Sequence, residues 1–212
     1  MKVKRIHMQS FKRFTDLEIT SIPEAAKIVV VVGPNGSGKS SLFDAFIHWH
    51  RPKAGWGHDG DKTYYQKGDE QSYNRDSAVI VDTHEGTPPV KGSLYVRTAY
   101  RNDPEFNIGA ISRLASPESE LRIARSIQND QAVGQNYQRL VYETVAGVYD
   151  ESNDAKSVKN LRDELIGAIR KSMQAVFGDL LLNNISDPLG EGTFTFEKGN
   201  VKSYQYKKSV WW

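Results

Sequence analysis

Apolar positions along the chain fall into a few distinct periods. Residues 28–32, one isoleucine and four valines, show no alternation, the pattern of a parallel strand buried on both faces. Soon after, Leu42, Ala45, Phe46 and Trp49 recur at i, i+3, i+4 and i+7, which predicts a helix beginning near Lys39 with one apolar stripe. Upstream, Val3, Ile6 and Met8 predict a first strand over residues 2–8, and residues 17–19 a second, with Phe11 and Phe14 anchoring the turn between them. Residues 78–83 and 93–100 predict an antiparallel pair across a Gly- and Pro-containing loop at 85–90.

The later chain is helical. Ser116, Pro117 and Glu118 carry the signals of a helix start, namely a cap, a first-position proline and a first-turn acid. Tyr137, Leu140, Val141, Thr144, Val145 and Val148 predict a second amphipathic helix, and Val158, Leu161, Leu165, Ile169 and Met173 a third. No heptad run is sustained, so a short helical hairpin is the most these residues support. Residues 185–192 are rich in turn formers, and 193–197 with 201–206 predict a hairpin around Lys198, Gly199 and Asn200. Residues 51–74 turn polar and glycine-containing and are expected as a long surface segment.

Between the valine run and the first helix lies Gly33-Pro34-Asn35-Gly36-Ser37-Gly38-Lys39-Ser40. It fits G-x-x-x-x-G-K-[ST], the phosphate-binding loop, with a strand expected before it and a helix after it. Glycines at 33, 36 and 38 permit the backbone to turn successive N–H groups inward, where the helix dipole adds positive charge. Lys39 is expected on the β- and γ-phosphate oxygens and Ser40 on a Mg²⁺ bridging them, with Asn35, Ser37 and Ser41 as further polar groups of the site. The expected cofactors are a nucleoside triphosphate and Mg²⁺.

Length and composition set the remaining bounds. With 212 residues, 38% of them hydrophobic, the chain is long enough to bury a core as one domain, or as one domain with an inserted subdomain. The net charge of +2 is too small to argue by itself for nucleic acid or a membrane surface. The absence of cysteine excludes disulfides, thiol catalysis and thiolate metal sites and agrees with a reducing compartment. No signal-peptide pattern and no apolar run of membrane-spanning length occurs, so a cytoplasmic protein without membrane contact is expected.

A first strand, the turn Ser10-Phe11-Lys12-Arg13-Phe14, a second strand and a valine-rich strand entering the glycine-rich loop resemble the N-terminus of the SMC and SbcC-type ATPases, relatives of RecF and RecN, over residues 1–47. The resemblance implies an α/β P-loop NTPase lobe: a mixed β-sheet, antiparallel strands around adenine and ribose, and an inserted helical subdomain. It implies ATP as the nucleotide, with Lys12 or Arg13 beside it, and DNA repair or defence against foreign DNA as the process. The expected division is 1–50 for the first strands, loop and helix, 51–110 for the polar segment and antiparallel strands, 111–183 for the helical part, and 184–212 for the hairpin and chain end.

ATPases of this type also use a glutamine near Mg²⁺ and the attacking water, for which Gln128 and Gln131 are the candidates. A signature segment and an apolar strand ending in paired acids are absent from the sequence. The expectation is therefore a shortened product or a half-ATPase whose second lobe comes from another copy or a partner chain. Two other classes fit the motif: a nucleotide-responsive binding module without hydrolysis, and a small-molecule P-loop kinase, for which no arginine-rich lid is evident.

His48, His50, His58, Asp59 and Asp61 invite a metal reading, but His48 and His50 stand two apart on a helix and do not share a face. A solvated loop is expected there. Arg97, Arg101 and the basic residues Lys159, Arg162, Arg170 and Lys171 are candidates for a DNA backbone, against the commoner reading of a solvated charged face.

Overall fold

The computed structural model describes residues 1–68, 73–97, 110–119, 121, 123–128, 132–186, 193–198 and 201–206. They form an α/β structure of six strands and three α-helices: β1 (Val3–Phe11), β2 (Phe14–Ile19), α1 (Lys39–Lys53), β3 (Val79–Thr83), α2 (Ala132–Val148), α3 (Val158–Phe177), β4 (Leu180–Ser186), β5 (Thr193–Lys198) and β6 (Val201–Tyr206). The chain divides into two compact units, Met1–Arg101 with Ser116–Asp130, and Asn102–Ala115 with Gln131–Trp212.

The first unit is built on a three-stranded antiparallel sheet in the order β2-β1-β3. Alternation along β1 sends Ile6 and Met8 inward, where they meet Val79 and Val81 of β3 and the α1 face of Leu42, Ala45 and Trp49. On the opposite face Arg5 pairs with Glu18 of β2 and, at 3.1 Å, with Asp82 of β3, joining all three strands at one residue. Phe11 is fully buried and Phe14 packs partly into the core, so both ends of the β1–β2 turn are pinned and only Lys12 and Arg13 remain between the strands.

Three strand and loop expectations fail in this unit. Residues 28–32 form no strand and are exposed, Val30 at 75% and Val32 at 85%. A parallel strand buried on both faces needs hydrogen-bonded neighbours along both edges. Among the described residues neither three-stranded sheet supplies one. Residues 93–97 do not pair with β3, whose partner is β1; residues 98–100 of that expected strand lie outside the described residues. Residues 51–74 are not simply a solvated loop, because Tyr65 and Tyr73 are buried and stack around Phe11 and His48. A tyrosine ring can enter a core while its hydroxyl keeps a polar partner, and a polar composition conceals this.

The helix start expected at Ser116 is a single turn among the described residues: the Ser116 carbonyl accepts from the Ser119 hydroxyl at 2.8 Å, and Ser116 Oγ accepts from Glu118 N at 3.4 Å. Cap chemistry satisfies a tight turn as readily as a helix.

In the second unit α2 and α3 form the expected helical hairpin, joined through a short 3₁₀ turn at Glu151–Asn153. Asp150 caps that turn by accepting from Ser152 N, and Ser157 caps α3 by accepting from Asn160 N. Tyr137 and Val141 are the buried positions of the α2 stripe. Among the described side chains of α3, Leu161 of the expected stripe and Ile166 outside it are buried and Met173 is half-buried, while Val158 and Ile169 of the stripe are exposed. The β5–β6 hairpin forms as expected. It is joined by β4, an unexpected strand through Leu180, Leu181 and Leu182 that runs into residues read as turn formers.

Candidate phosphate site at the N-terminus of α1

The glycine-rich loop ends at Gly38, which occupies the left-handed region at φ 102° and is the N-cap of α1; Gly36 is also left-handed at φ 81°. No side chain caps the helix and no acid stands in its first turn. The first N–H groups of a helix have no partner within it, so those of Lys39, Ser40 and Ser41 face the loop with the positive end of the dipole. Such an N-terminus is suited to an anion.

The Lys39 ammonium lies back over the loop, donating to the carbonyls of Gly33 at 2.7 Å and Pro34 at 2.9 Å. Both are neutral acceptors that a phosphate oxygen would outcompete. Asn35, Ser37 and Ser40 are exposed, and Ser41 is half-buried at the start of the helix. Ser37 closes the loop by donating its N–H to Pro34 O at 3.2 Å. An uncapped helix N-terminus, the Lys39 ammonium and the exposed Ser37 and Ser40 thus stand together at the loop, a donor set of the kind a phosphate group takes.

The β1–β2 turn sits on this loop. A Cβ at Gly38 would lie 2.4 Å from the Phe14 ring and 2.8 Å from Arg13 Cδ, and one at Gly36 would lie 3.6 Å from an Arg13 guanidinium nitrogen. The two cations that the sequence left as alternatives are separated by the structure. Arg13 is exposed and lies along the loop. Lys12 turns the other way, donates to Asp44 of α1, and stands 3.7 Å over the Tyr64 ring.

Of the two candidate glutamines, Gln128 uses its Oε1 locally, accepting from Ala124 N at 2.7 Å and Arg125 N at 3.3 Å. Gln131 lies outside the described residues. The acids near the histidines are occupied by arginine: Arg125 makes two 2.8 Å hydrogen bonds to Asp59 and approaches Asp61 at 3.3 Å. The Arg125 guanidinium holds the Asp59 carboxyl well below the usual carboxylate range.

His48 is buried, hydrogen-bonds the Tyr73 hydroxyl at 2.9 Å, and has its pKa pushed down to about 4, chiefly by desolvation. His50 is buried in a different setting, against Val90 O at 3.0 Å. Among the described residues no group of three or more His, Asp or Glu could hold a metal ion. Of the basic residues on α3, Arg170 approaches Asp163 at 3.4 Å and Arg162 approaches it at 4.0 Å. Arg97 is exposed, and Arg101 lies outside the described residues.

Sequence reasoning passed over Asp44, which is fully buried and accepts from Lys12, from the Tyr64 hydroxyl at 3.0 Å and from Ser126 N at 2.7 Å. The available signal was a lone acid within the otherwise apolar and aromatic stretch 42–49.

Among the described residues no helix is long and apolar enough to cross a membrane. No curated protein and no solved structure matches the chain. A family model described as an AAA domain matches residues 5–186, a span that includes the loop, α1, Asp44 and both helices of the hairpin. The chain therefore belongs to the AAA domain family, whose members bind ATP, usually with Mg²⁺.

Proposed function

We propose that the chain is the MgATP-binding lobe of an SMC- or SbcC-like ATPase, serving DNA repair or defence against foreign DNA. The observation that carries the nucleotide reading is the uncapped, acid-free N-terminus of α1 with Lys39 folded over the loop and Arg13 laid along it. In this reading Lys39 exchanges its two carbonyl partners for β- and γ-phosphate oxygens. Arg13 meets the phosphates from the opposite side, Asn35, Ser37 and Ser41 supply further polar contacts, and Ser40 joins the Mg²⁺ shell. The resemblance over residues 1–47 supports the SMC/SbcC-like assignment and, with it, the DNA-directed role.

Exposure of residues 28–32 supports a second part of the proposal, that the site is completed by a lobe from another copy or a partner chain. An exposed apolar run of strand-forming residues is a surface that a partner chain can cover. Hydrolysis then belongs to the completed assembly, and the isolated chain binds nucleotide with little turnover.

The test is equilibrium binding of ATP with and without Mg²⁺, together with turnover, on the wild type and Lys39→Ala. The expected result is Mg²⁺-dependent binding that the substitution abolishes. Equal binding by both proteins would contradict the assignment of the loop.

A further inference from the structure

Asp44 is the most completely buried acid among the described residues, and its partners are Lys12, Tyr64 and Ser126 rather than residues of the phosphate loop. Its carboxylate gathers three segments distant in sequence: Lys12 from the β1–β2 turn, the Tyr64 hydroxyl from the polar segment, and Ser126 N from the stretch 123–128. The turn it holds is strained. Ser10 at φ 48° and Lys12 at φ 51° both occupy the left-handed region, which persists for such residues only where the surroundings over-determine it.

The restraints are identifiable. Lys12 donates its backbone N–H to Tyr65 O at 2.6 Å, its ammonium goes to Asp44, and its charge sits 3.7 Å over the Tyr64 ring. One residue further on, Arg13 and Phe14 contact the positions around Gly36 and Gly38. With Lys12 drawn down to Asp44, the backbone reverses so that Arg13 points to the loop.

From this geometry we infer that Asp44 is a positioning residue of the nucleotide site: by neutralising and anchoring Lys12 it sets the β1–β2 turn so that Arg13 lies along the phosphate loop. The inference rests on the nucleotide reading above and adds a residue that does not touch the ligand. It acts through Lys12. It also makes Lys12 unavailable to phosphate, so the two adjacent cations have opposite tasks.

Asp44→Asn tests this with two readouts. The amide oxygen can still accept from Ser126 N, while an NH2 group replaces the oxygen that accepts from Lys12 and the Tyr64 hydroxyl, so a hydroxyl that can turn to accept is retained and the charge that holds Lys12 is lost. In the nucleotide-free protein, nuclear Overhauser contacts between the Phe14 ring and Gly38 are expected to disappear from an otherwise dispersed spectrum. ATP affinity is expected to fall about tenfold or more. In a Lys12→Met background the same change is expected to lower affinity no further, because the path through Lys12 is already cut.

Retained Phe14–Gly38 contacts, or wild-type ATP affinity in a folded Asp44→Asn protein, would overturn the inference and leave Asp44 as a core acid alone. A wild type that binds no ATP is a different outcome: it removes the nucleotide reading and with it the affinity arm, and the Phe14–Gly38 contacts alone then decide whether Asp44 sets the turn.

Discussion

The ring of Phe14 and the α-carbon of Gly38 are in contact so close that a methyl group on Gly38 would lie 2.4 Å from the ring. One contact thus fixes where the first hairpin meets the phosphate loop, and it requires glycine twice over, for space and for a φ of 102°. Gly38→Ala is expected to destabilise the first unit by about 2–4 kcal/mol, combining a left-handed alanine with overpacking, and to weaken ATP binding together with stability. Urea unfolding and ATP titration of the variant check both parts.

How much of this was legible in the sequence depends on how local each feature is. The loop, the start of α1 at Lys39 and the α2–α3 hairpin were readable because glycine positions and helical stripes act within a few residues. Strand identity was less so. Residues 28–32 have every local property of a central strand, yet a strand exists only if another backbone pairs with it, and in neither sheet of the described residues are they paired. Similarly, β3 took β1 as its partner in place of residues 93–97. Asp44 was overlooked because its three partners lie 32, 20 and 82 residues away, a convergence that no periodicity encodes.

Exposure of the valine run has a direct consequence for stability. Val30→Lys is expected to change the unfolding free energy by no more than about 0.5 kcal/mol, whereas Ile6→Ala in the core is expected to cost about 2–5 kcal/mol. Denaturant unfolding of the two variants makes the comparison. A large loss in Val30→Lys would mean that the run is packed inside the unit.

His48 makes the fold sensitive to mild acid. Its ring lies among Phe11, Tyr65, Tyr73 and His58, with Arg75, Asp76 and Asp59 acting on it electrostatically. Its folded pKa of about 4 lies below the ordinary 6.5, so the unfolded chain takes up the proton first. Stability is unaffected above pH 6.5 and falls as pH drops from 6.5 towards 4, by about 3 kcal/mol for this group. His50, also lowered by burial, acts in the same direction. Unfolding free energies measured between pH 7 and 4 are expected to show this slope, and His48→Gln to reduce it.

Arg125 secures the 123–128 stretch through its paired bonds to Asp59 and its stacking 4.7 Å over the Tyr64 ring. Arg125→Ala removes both guanidinium bonds from a mostly buried carboxylate, leaving Arg51 at 3.7 Å as its nearest cation, and is expected to cost about 2–3 kcal/mol near neutral pH. Because Asp59 is held below its unfolded pKa, the wild-type advantage is present above the ordinary carboxylate range and is lost as pH falls through the folded value. Parallel urea titrations of wild type and variant at pH 7 and at strongly acidic pH check both statements.

The central claim is that the loop ending at Lys39 binds MgATP, and thermal unfolding of the chain with and without MgATP, beside Lys39→Ala, tests it most directly. A ligand at about 100 times its dissociation constant stabilises the native state by about 2.7 kcal/mol. The account predicts an upward shift for the wild type and none for Lys39→Ala. An unchanged wild-type transition at millimolar MgATP, or an equal shift in both proteins, would contradict it.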